Sequence, residues 1–199
     1  MTETLLKDDE LITAVLEGRT RDFEVLIQRY SGKIIRFISG MTGDRDEAQS
    51  IAQDVFIKIY QNLPYYEKQN NFSAFIFKIA KNMTLNWLQR QKRTVFFSRL
   101  LGRESAQLPL APAPGRVDDA EAAERDEKIT RALRSLPEEQ RIALILKIYL
   151  EFSYKQIREI SGWSIPKIET LVSRAKSRLK KNIGLQERNP EIVIKARQK

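Results

Sequence analysis

The sequence predicts an all-α protein with two helical domains joined by a flexible linker. Apolar residues recur every three or four positions along most of the chain, which is the spacing of amphipathic helices. Only 8 of the 199 residues are glycine, and β-branched alternation is absent. Helical spacing fails over residues 107–119, which contain three prolines and a glycine. We therefore expect a first domain at residues 1–93, a linker at 94–121, a second domain at 122–183 and a frayed tail at 184–199.

Three apolar stripes predict three helices in the first domain. They run over residues 23–41, 48–63 and 72–88, and the connections between them are short. Gly43 and Asp44 separate the first two stripes, and the segment 64–71 separates the second from the third. Three such helices can bury their apolar faces against one another in a compact bundle.

The second domain begins with a short apolar stripe at Ile129, Leu133 and Leu136. The residues from Ser135 to Glu138 carry the spacing of a capping box, which predicts the start of another helix there. That helix continues through an apolar run that ends near Tyr149.

The segment 153–181 predicts a helix-turn-helix. Ser153 and Gln156 are spaced as a capping box, and Gly162 suits a left-handed helix end. Ser164 can cap the next helix, and Pro166 fits its first turn because no intrahelical donor is needed there. In this motif the second helix lies in the major groove of DNA.

The composition narrows the possible functions. A formal net charge of +9 favours an anionic partner such as nucleic acid. The chain has no cysteine and no histidine, which excludes disulfides, thiolate or imidazole metal sites and Cys/His or Ser/His nucleophile pairs. The first residues are acidic and no apolar run approaches the roughly 20 residues that cross a bilayer. We therefore expect a cytoplasmic protein without membrane insertion. Carboxylate-based chemistry remains possible on composition alone, but we expect no catalytic residues, metal or cofactor.

The second helix of the helix-turn-helix is rich in cations on the faces away from its apolar stripe. A solvated basic face would show the same charge pattern, but the caps and the turn favour DNA binding. The residues expected at the DNA are Lys167, Glu169, Thr170, Ser173, Arg174, Lys176 and Arg178.

The third helix of the first domain and the loop before it form a second basic element. Residues 78–93 contain no acid, and aromatic and amide side chains precede them in the loop. Aromatic rings beside cations suit unpaired bases, which stack on rings whatever their identity. Phe75 and Trp87, in contrast, are expected in the core. The candidates for unpaired DNA are Tyr65, Tyr66, Asn70, Asn71, Lys78, Lys81, Asn82, Asn86, Arg90 and Arg93.

The second helix of the first domain is acidic in its first half. Acids at a helix start complement the helix dipole, which accounts for the first turn but not for residues in mid-helix. An acidic, partly apolar helix in a basic protein should face a protein rather than DNA. The candidate residues for this contact are Asp46, Gln53, Asp54 and Lys58.

These segments in this order resemble the extracytoplasmic-function group of RNA polymerase sigma factors, in the sigma-70 family. DRDEAQSIAQDVFIKIYQNL resembles the family's helix that binds the β′ clamp of core RNA polymerase, and Gln53 and Asp54 match its Gln-acid pair. NFSAFIFKIAKNMTLNWLQRQKR resembles the helix that melts and reads the −10 element, where Asn82 matches a characteristic asparagine. SLPEEQRIALILKIYLEFSYKQIREISGWS resembles the opening of region four, which leads into the helix that reads the −35 element.

The resemblance implies an alternative sigma factor with region two in the first domain and region four in the second. Its partners would be core polymerase, unpaired −10 DNA, duplex −35 DNA and an inhibiting anti-sigma factor. The chain departs from the family pattern at Ser50, Phe75, Asn86, and in the recognition helix at Pro166, Glu169 and Leu171.

Two other functions remain as alternatives. The first is a free-standing helix-turn-helix regulator that binds duplex DNA as a dimer. The second is a carboxylate-dependent nuclease, for which Glu67 and Lys68 are the available motif.

Overall fold

The computed structural model describes residues 6–67, 71–100 and 129–183. The predicted linker beyond residue 100, the predicted domain start at 122, the tail from 184 and Asn70 lie outside this part of the chain. In the described ranges the regular structure is helical, as predicted. The helices are α1 (Asp8–Leu16), α2 (Asp22–Thr42), α3 (Arg45–Asn62), α4 (Phe72–Leu100), α5 (residues 129–134), α6 (Glu138–Leu144), α7 (Tyr154–Ser161) and α8 (Ile165–Ile183).

Local sequence signals set several helix ends, and those of α7 agree with the prediction. The Asp44 carboxylate accepts hydrogen bonds from the backbone N–H groups of Asp46 and Glu47 and so begins α3. Ser153 and Gln156 form the predicted capping box of α7. Gly162 ends that helix with a φ of 77°, a left-handed conformation that glycine adopts without a steric penalty.

The structure adds α1 ahead of the three helices predicted for the first domain, and two local predictions also differ from it. Ser135 does not cap α6; its hydroxyl donates to the carbonyl of Ala132, and Pro137 precedes the helix instead. A serine hydroxyl can donate to a carbonyl of the preceding turn instead of accepting from the N–H groups of the following helix. The boundary expected at residue 94 also falls inside α4, which continues to Leu100 because no proline or glycine occurs before Gly102.

The first half of the chain packs α1 to α4 around one apolar core. Phe37 from α2 meets Phe77 from α4 with ring centroids 6.0 Å apart, and both side chains are fully buried. Asp8 lies at the start of α1, and its carboxylate accepts hydrogen bonds from Arg29 and from the Tyr30 hydroxyl, both on α2. α1 therefore closes one side of the bundle.

The second half packs α5 to α8 around its own apolar side chains. α6 continues as a π-helical turn over Ile145–Tyr149, and α7 and α8 then form the predicted helix-turn-helix. Ile157, Ile168 and Ala175 are buried at its centre.

The two halves are in contact, and one apolar cluster includes residues of both. Phe77 of α4 lies edge-on to Phe152, with ring centroids 4.9 Å apart. The Arg141 guanidinium donates to the carbonyl of Met41 across the boundary at 2.7 Å. α2 approaches the π-helical turn so closely that a Cβ placed on Gly40 would lie 2.8 Å from the Ile145 Cδ1 atom. The structure thus joins the two predicted helical units in a closed arrangement.

Candidate nucleic-acid interface

The exposed face of α3 is the surface predicted to bind a protein. Asp46, Gln53, Asp54 and Lys58 are all exposed. The opposite side of the helix supplies buried side chains at Ala48, Ile51, Ala52, Val55 and Ile59. The structure therefore brings the four candidates to the outside of the bundle.

Two apolar side chains on α3 are exposed although the sequence analysis did not predict their exposure. Ile57 is 58% exposed, and Tyr60, which the apolar stripe assigns to the core, is 45% exposed. One edge of Tyr60 still packs against Phe23, with ring centroids 5.1 Å apart. The signal for Ile57 is present in the sequence, because it falls out of phase with the buried positions of α3. An exposed isoleucine close to Gln53 and Asp54 suits a protein partner better than DNA.

The outer face of α4 carries cations and amides. Asn82, Asn86, Arg90 and Arg93 are exposed and follow one another at steps of four, four and three residues, so they share one helical face. Lys78 is exposed one turn before Asn82. With a rise of 1.5 Å per residue, the face from Asn82 to Arg93 is about 16 Å long.

The loop before α4 contributes one open ring. Tyr65 is 81% exposed at the end of a short 3₁₀ turn. Asn71 is exposed as well, and its side-chain oxygen accepts from the backbone N–H of Ser73 at 3.1 Å. That bond orients Asn71 at the start of α4.

Tyr66 was predicted to contact unpaired DNA, but the structure buries it. Its side chain is 7% exposed, and its ring packs between Phe72 and Phe75. The hydroxyl donates to the Asp9 carboxylate at 3.0 Å. Burial, aided by this bond, raises the pKa of Tyr66 well above its ordinary value. The ring therefore ties α1 to α4 and offers no face to a base.

Lys81 also departs from the prediction in this closed arrangement. Its ammonium group donates to the carbonyl of Ile160, near the end of α7, at 3.2 Å. Burial, with a smaller effect of the neighbouring Lys78 charge, lowers the pKa of Lys81. The side chain thus contacts the second half of the molecule instead of an open surface.

The outer side of α8 presents most of the residues predicted to meet duplex DNA. Ile168, Leu171, Val172, Ala175 and Leu179 are buried, which turns the remaining positions outward. Lys176 is only partly exposed. The exposed candidates are Lys167, Glu169, Thr170, Ser173, Arg174 and Arg178.

Two of these side chains have partners within the molecule. The Lys167 ammonium contacts the Glu139 carboxylate at 2.8 Å and lies over the Trp163 ring, 5.0 Å from its centroid. The Thr170 hydroxyl donates to the carbonyl of Pro166 at 2.9 Å. The ion pair between Lys167 and Glu139 is exposed and weak, so a phosphate could replace the carboxylate.

Comparison with known proteins identifies the family. Residues 26–94 match the family model described as Sigma-70 region 2, and residues 126–179 match the one described as Sigma-70, region 4. The region 2 match precedes the region 4 match, and together they span more than half of the chain. The chain belongs to the sigma-70 family. It is a sigma factor of the extracytoplasmic-function group, which binds core RNA polymerase and directs it to promoters.

Individual relatives agree with this assignment. The chain is 27% identical to RNA polymerase sigma factor YlaC of Bacillus subtilis over 80% of this chain and 91% of that protein. It is 26% identical to the ECF RNA polymerase sigma factor SigW of the same organism over 176 residues, 86% of this chain and 94% of that protein. Among solved structures, the sigma factor RpoE of Bartonella quintana, in complex with the anti-sigma factor NepR, superposes with a TM-score of 0.67 at 26% identity, covering 84% of this chain and 99% of that one.

The sigma factor has no helix in residues 6–67, 71–100 or 129–183 that is both long and apolar enough to span a bilayer. Sigma factors act in transcription initiation and are not enzymes. α3 and most of α2 and α4 lie in the region 2 match, and α5 to α7 with most of α8 lie in the region 4 match.

Proposed function

We propose that this sigma factor grips a promoter at two points through the surfaces described above. α3 binds the β′ clamp of core polymerase, the outer face of α4 with Tyr65 holds the unpaired −10 strand, and α8 reads the −35 duplex. The observation that supports this division is the opposite character of two adjacent helices: exposed acids and an exposed isoleucine on α3, and cations and amides without any acid on α4.

The chemistry of α3 favours polymerase over DNA. Asp54 is exposed in mid-helix, so its charge is not needed to cap a helix end. Ile57 lies one turn from Gln53 and offers an apolar centre, with a polar rim around it, as protein interfaces commonly do. A carboxylate there would repel DNA phosphates.

The chemistry of α4 favours single-stranded DNA. Arg90 and Arg93 can attract phosphates, while Asn82 and Asn86 can hydrogen-bond base edges. Tyr65 supplies a ring for stacking, which is worth about 1–3 kcal/mol per base. Capture of unpaired bases then offsets the cost of unstacking them, so melting is driven by binding energy and no bond is made or broken.

We also propose an anti-sigma partner in the cytoplasm. The Bartonella relative was solved in complex with an anti-sigma factor. A partner that covers α3 and the DNA faces would block both functions of the chain. Because the chain has neither cysteine nor histidine, we expect any redox or zinc sensing to reside in that partner.

Run-off transcription with core polymerase and a random promoter library tests this function. The wild-type chain should initiate at a subset of promoters that share −10 and −35 sequences. Initiation nowhere by the folded chain, or tight duplex binding in a gel shift without polymerase, would instead support a free-standing helix-turn-helix regulator.

Two substitutions separate the proposed surfaces. Asp54→Lys should weaken core binding, measured by fluorescence anisotropy of the labelled sigma factor. Arg174→Ala should leave core binding unchanged and lower the affinity of the holoenzyme for −35 duplex by about tenfold, as expected for one lost charged contact. Equal losses of core binding in both variants would contradict the division.

A further inference from the structure

The outer face of α4 continues past the cations to two exposed aromatic side chains. Phe96 is 64% exposed and Phe97 is 57% exposed, with ring centroids 6.0 Å apart and ring planes at 78°. Both lie beyond residue 94, where the region 2 match ends. Phenylalanine is among the residues most often buried, so a pair of exposed rings marks a candidate contact surface.

The rings do not share the burial of the rest of this turn. Gln91, Val95 and Ser98 are partly buried on the inner side of α4. Phe96 and Phe97 lie on the other side of the helix. Within the described residues, more than half of each side chain remains exposed.

Phe97 shares the face that carries the DNA candidates, and Phe96 lies next to it. Asn86, Arg90, Arg93 and Phe97 follow one another at steps of four, three and four residues, which places them in one row along α4. Phe97 lies about 16 Å along the helix from Asn86. A strand of DNA that follows the cations from Asn86 therefore reaches the rings.

Charge indicates which partner covers the rings. α4 contains no Asp or Glu over its whole length, and Arg93 is exposed directly beside the pair. This setting complements a polyanion and differs from α3, where the carboxylate of Asp54 lies one turn from the exposed Ile57. Aromatic rings next to cations are the combination that binds unpaired bases.

We propose that Phe96 and Phe97 form a stacking platform for an unpaired DNA base that adjoins the strand held by Asn82 and Asn86. This inference rests on the proposed −10 function of α4 and lengthens its DNA contact beyond the part of the helix matched to region 2. The base stacks on a ring, while Arg93 neutralises the neighbouring phosphate.

Holoenzyme made with the full-length chain allows a direct test. Fork-junction DNA with a randomised single-stranded tail is selected for binding, and 2-aminopurine is then placed at each tail position in turn. Replacing both rings by leucine (Phe96→Leu with Phe97→Leu) should lower the affinity for the selected fork by about five- to hundredfold and change the 2-aminopurine signal at one tail position. Phe97→Trp should keep the affinity because it keeps a flat ring.

Leucine retains the apolar surface, so the pair of leucine substitutions separates a base from a protein partner. Weaker core binding in the leucine variant would assign the rings to polymerase and overturn the proposal. A lower melting temperature with unchanged DNA affinity would assign them to the chain's own residues 101–128, and unchanged values of all three measurements would also overturn it.

Asn86→Ala distinguishes this proposal from the function on which it rests. If Asn86→Ala lowers fork affinity and the leucine variant does not, only the stacking platform is wrong. If neither variant lowers it, the proposed role of α4 in −10 binding is wrong as well.

Discussion

Substituting alanine for Gly32 should stabilise the protein, whereas the same substitution at Gly40 should not. Gly32 and Gly40 lie in the same helix, and neither has a positive φ. A Cβ at Gly32 meets nothing within 4 Å. A Cβ at Gly40 would lie 2.8 Å from Cδ1 and 3.4 Å from Cγ1 of Ile145, which belongs to the other half of the molecule.

The expected magnitudes follow from these contacts. Alanine is favoured over glycine within a helix by about 0.8–1.0 kcal/mol, so Gly32→Ala should raise the free energy of unfolding by about that amount. Gly40→Ala has the same helical gain, but overpacking against Ile145 opposes it by about 1–3 kcal/mol. The net change for Gly40→Ala should lie between about zero and a loss of 2 kcal/mol.

Urea denaturation followed by circular dichroism measures both variants. Equal m values would show that the two proteins unfold over the same surface, so that the shift in midpoint reports stability. Ile145→Val, combined with Gly40→Ala, removes the Cδ1 atom and should recover part of the loss. If Gly40→Ala stabilises the protein as much as Gly32→Ala does, α2 and the π-helical turn are not packed together in solution, and the closed arrangement is refuted.

Three further substitutions probe other contacts. Arg141→Met removes the donor to the carbonyls of Met41, Arg134 and Leu136 and should cost about 1–3 kcal/mol in urea denaturation; an unchanged midpoint would contradict these hydrogen bonds. Gly162→Ala places a side chain at a φ of 77° with open space around it, and should lower the free energy of unfolding by about 1–2 kcal/mol through backbone strain alone. The pKa of Tyr66 is raised in the folded protein, so wild-type stability should fall as pH rises above about 10, where the unfolded chain loses its phenolic proton. Tyr66→Phe should lose less stability over that alkaline range, and parallel curves for the two proteins would exclude this contribution.

Helix positions were predictable because the determining signals are local. The capping box of Ser153 with Gln156 and the left-handed Gly162 depend on residues within three or four positions of each other. The capping box expected at Ser135 was wrong for the same local reason, since the hydroxyl found a carbonyl one turn back.

The charge and polarity of each candidate surface were predictable, but not every residue that belongs to it. The periodicity of α3 and α8 placed Asp54 and Arg174 outside, and both are exposed. Periodicity could not place Tyr66, because it lies in a loop before a helix and has no periodic neighbours. Its hydrogen-bond partner Asp9 lies 57 residues earlier. A ring in a loop can turn inward or outward, and only the distant hydroxyl partner decides which.

The sequence by itself determined every helix except α1, the caps of α7, the family and the charge character of the exposed faces, because spacing and charge along one helix are properties of neighbouring residues. The tertiary structure alone decided how the two halves meet. Ile145 packs against Gly40. Arg141 donates to the carbonyl of Met41, and Lys81 donates to the carbonyl of Ile160. These contacts join residues about 80 or more positions apart, and no periodic pattern within either partner encodes them.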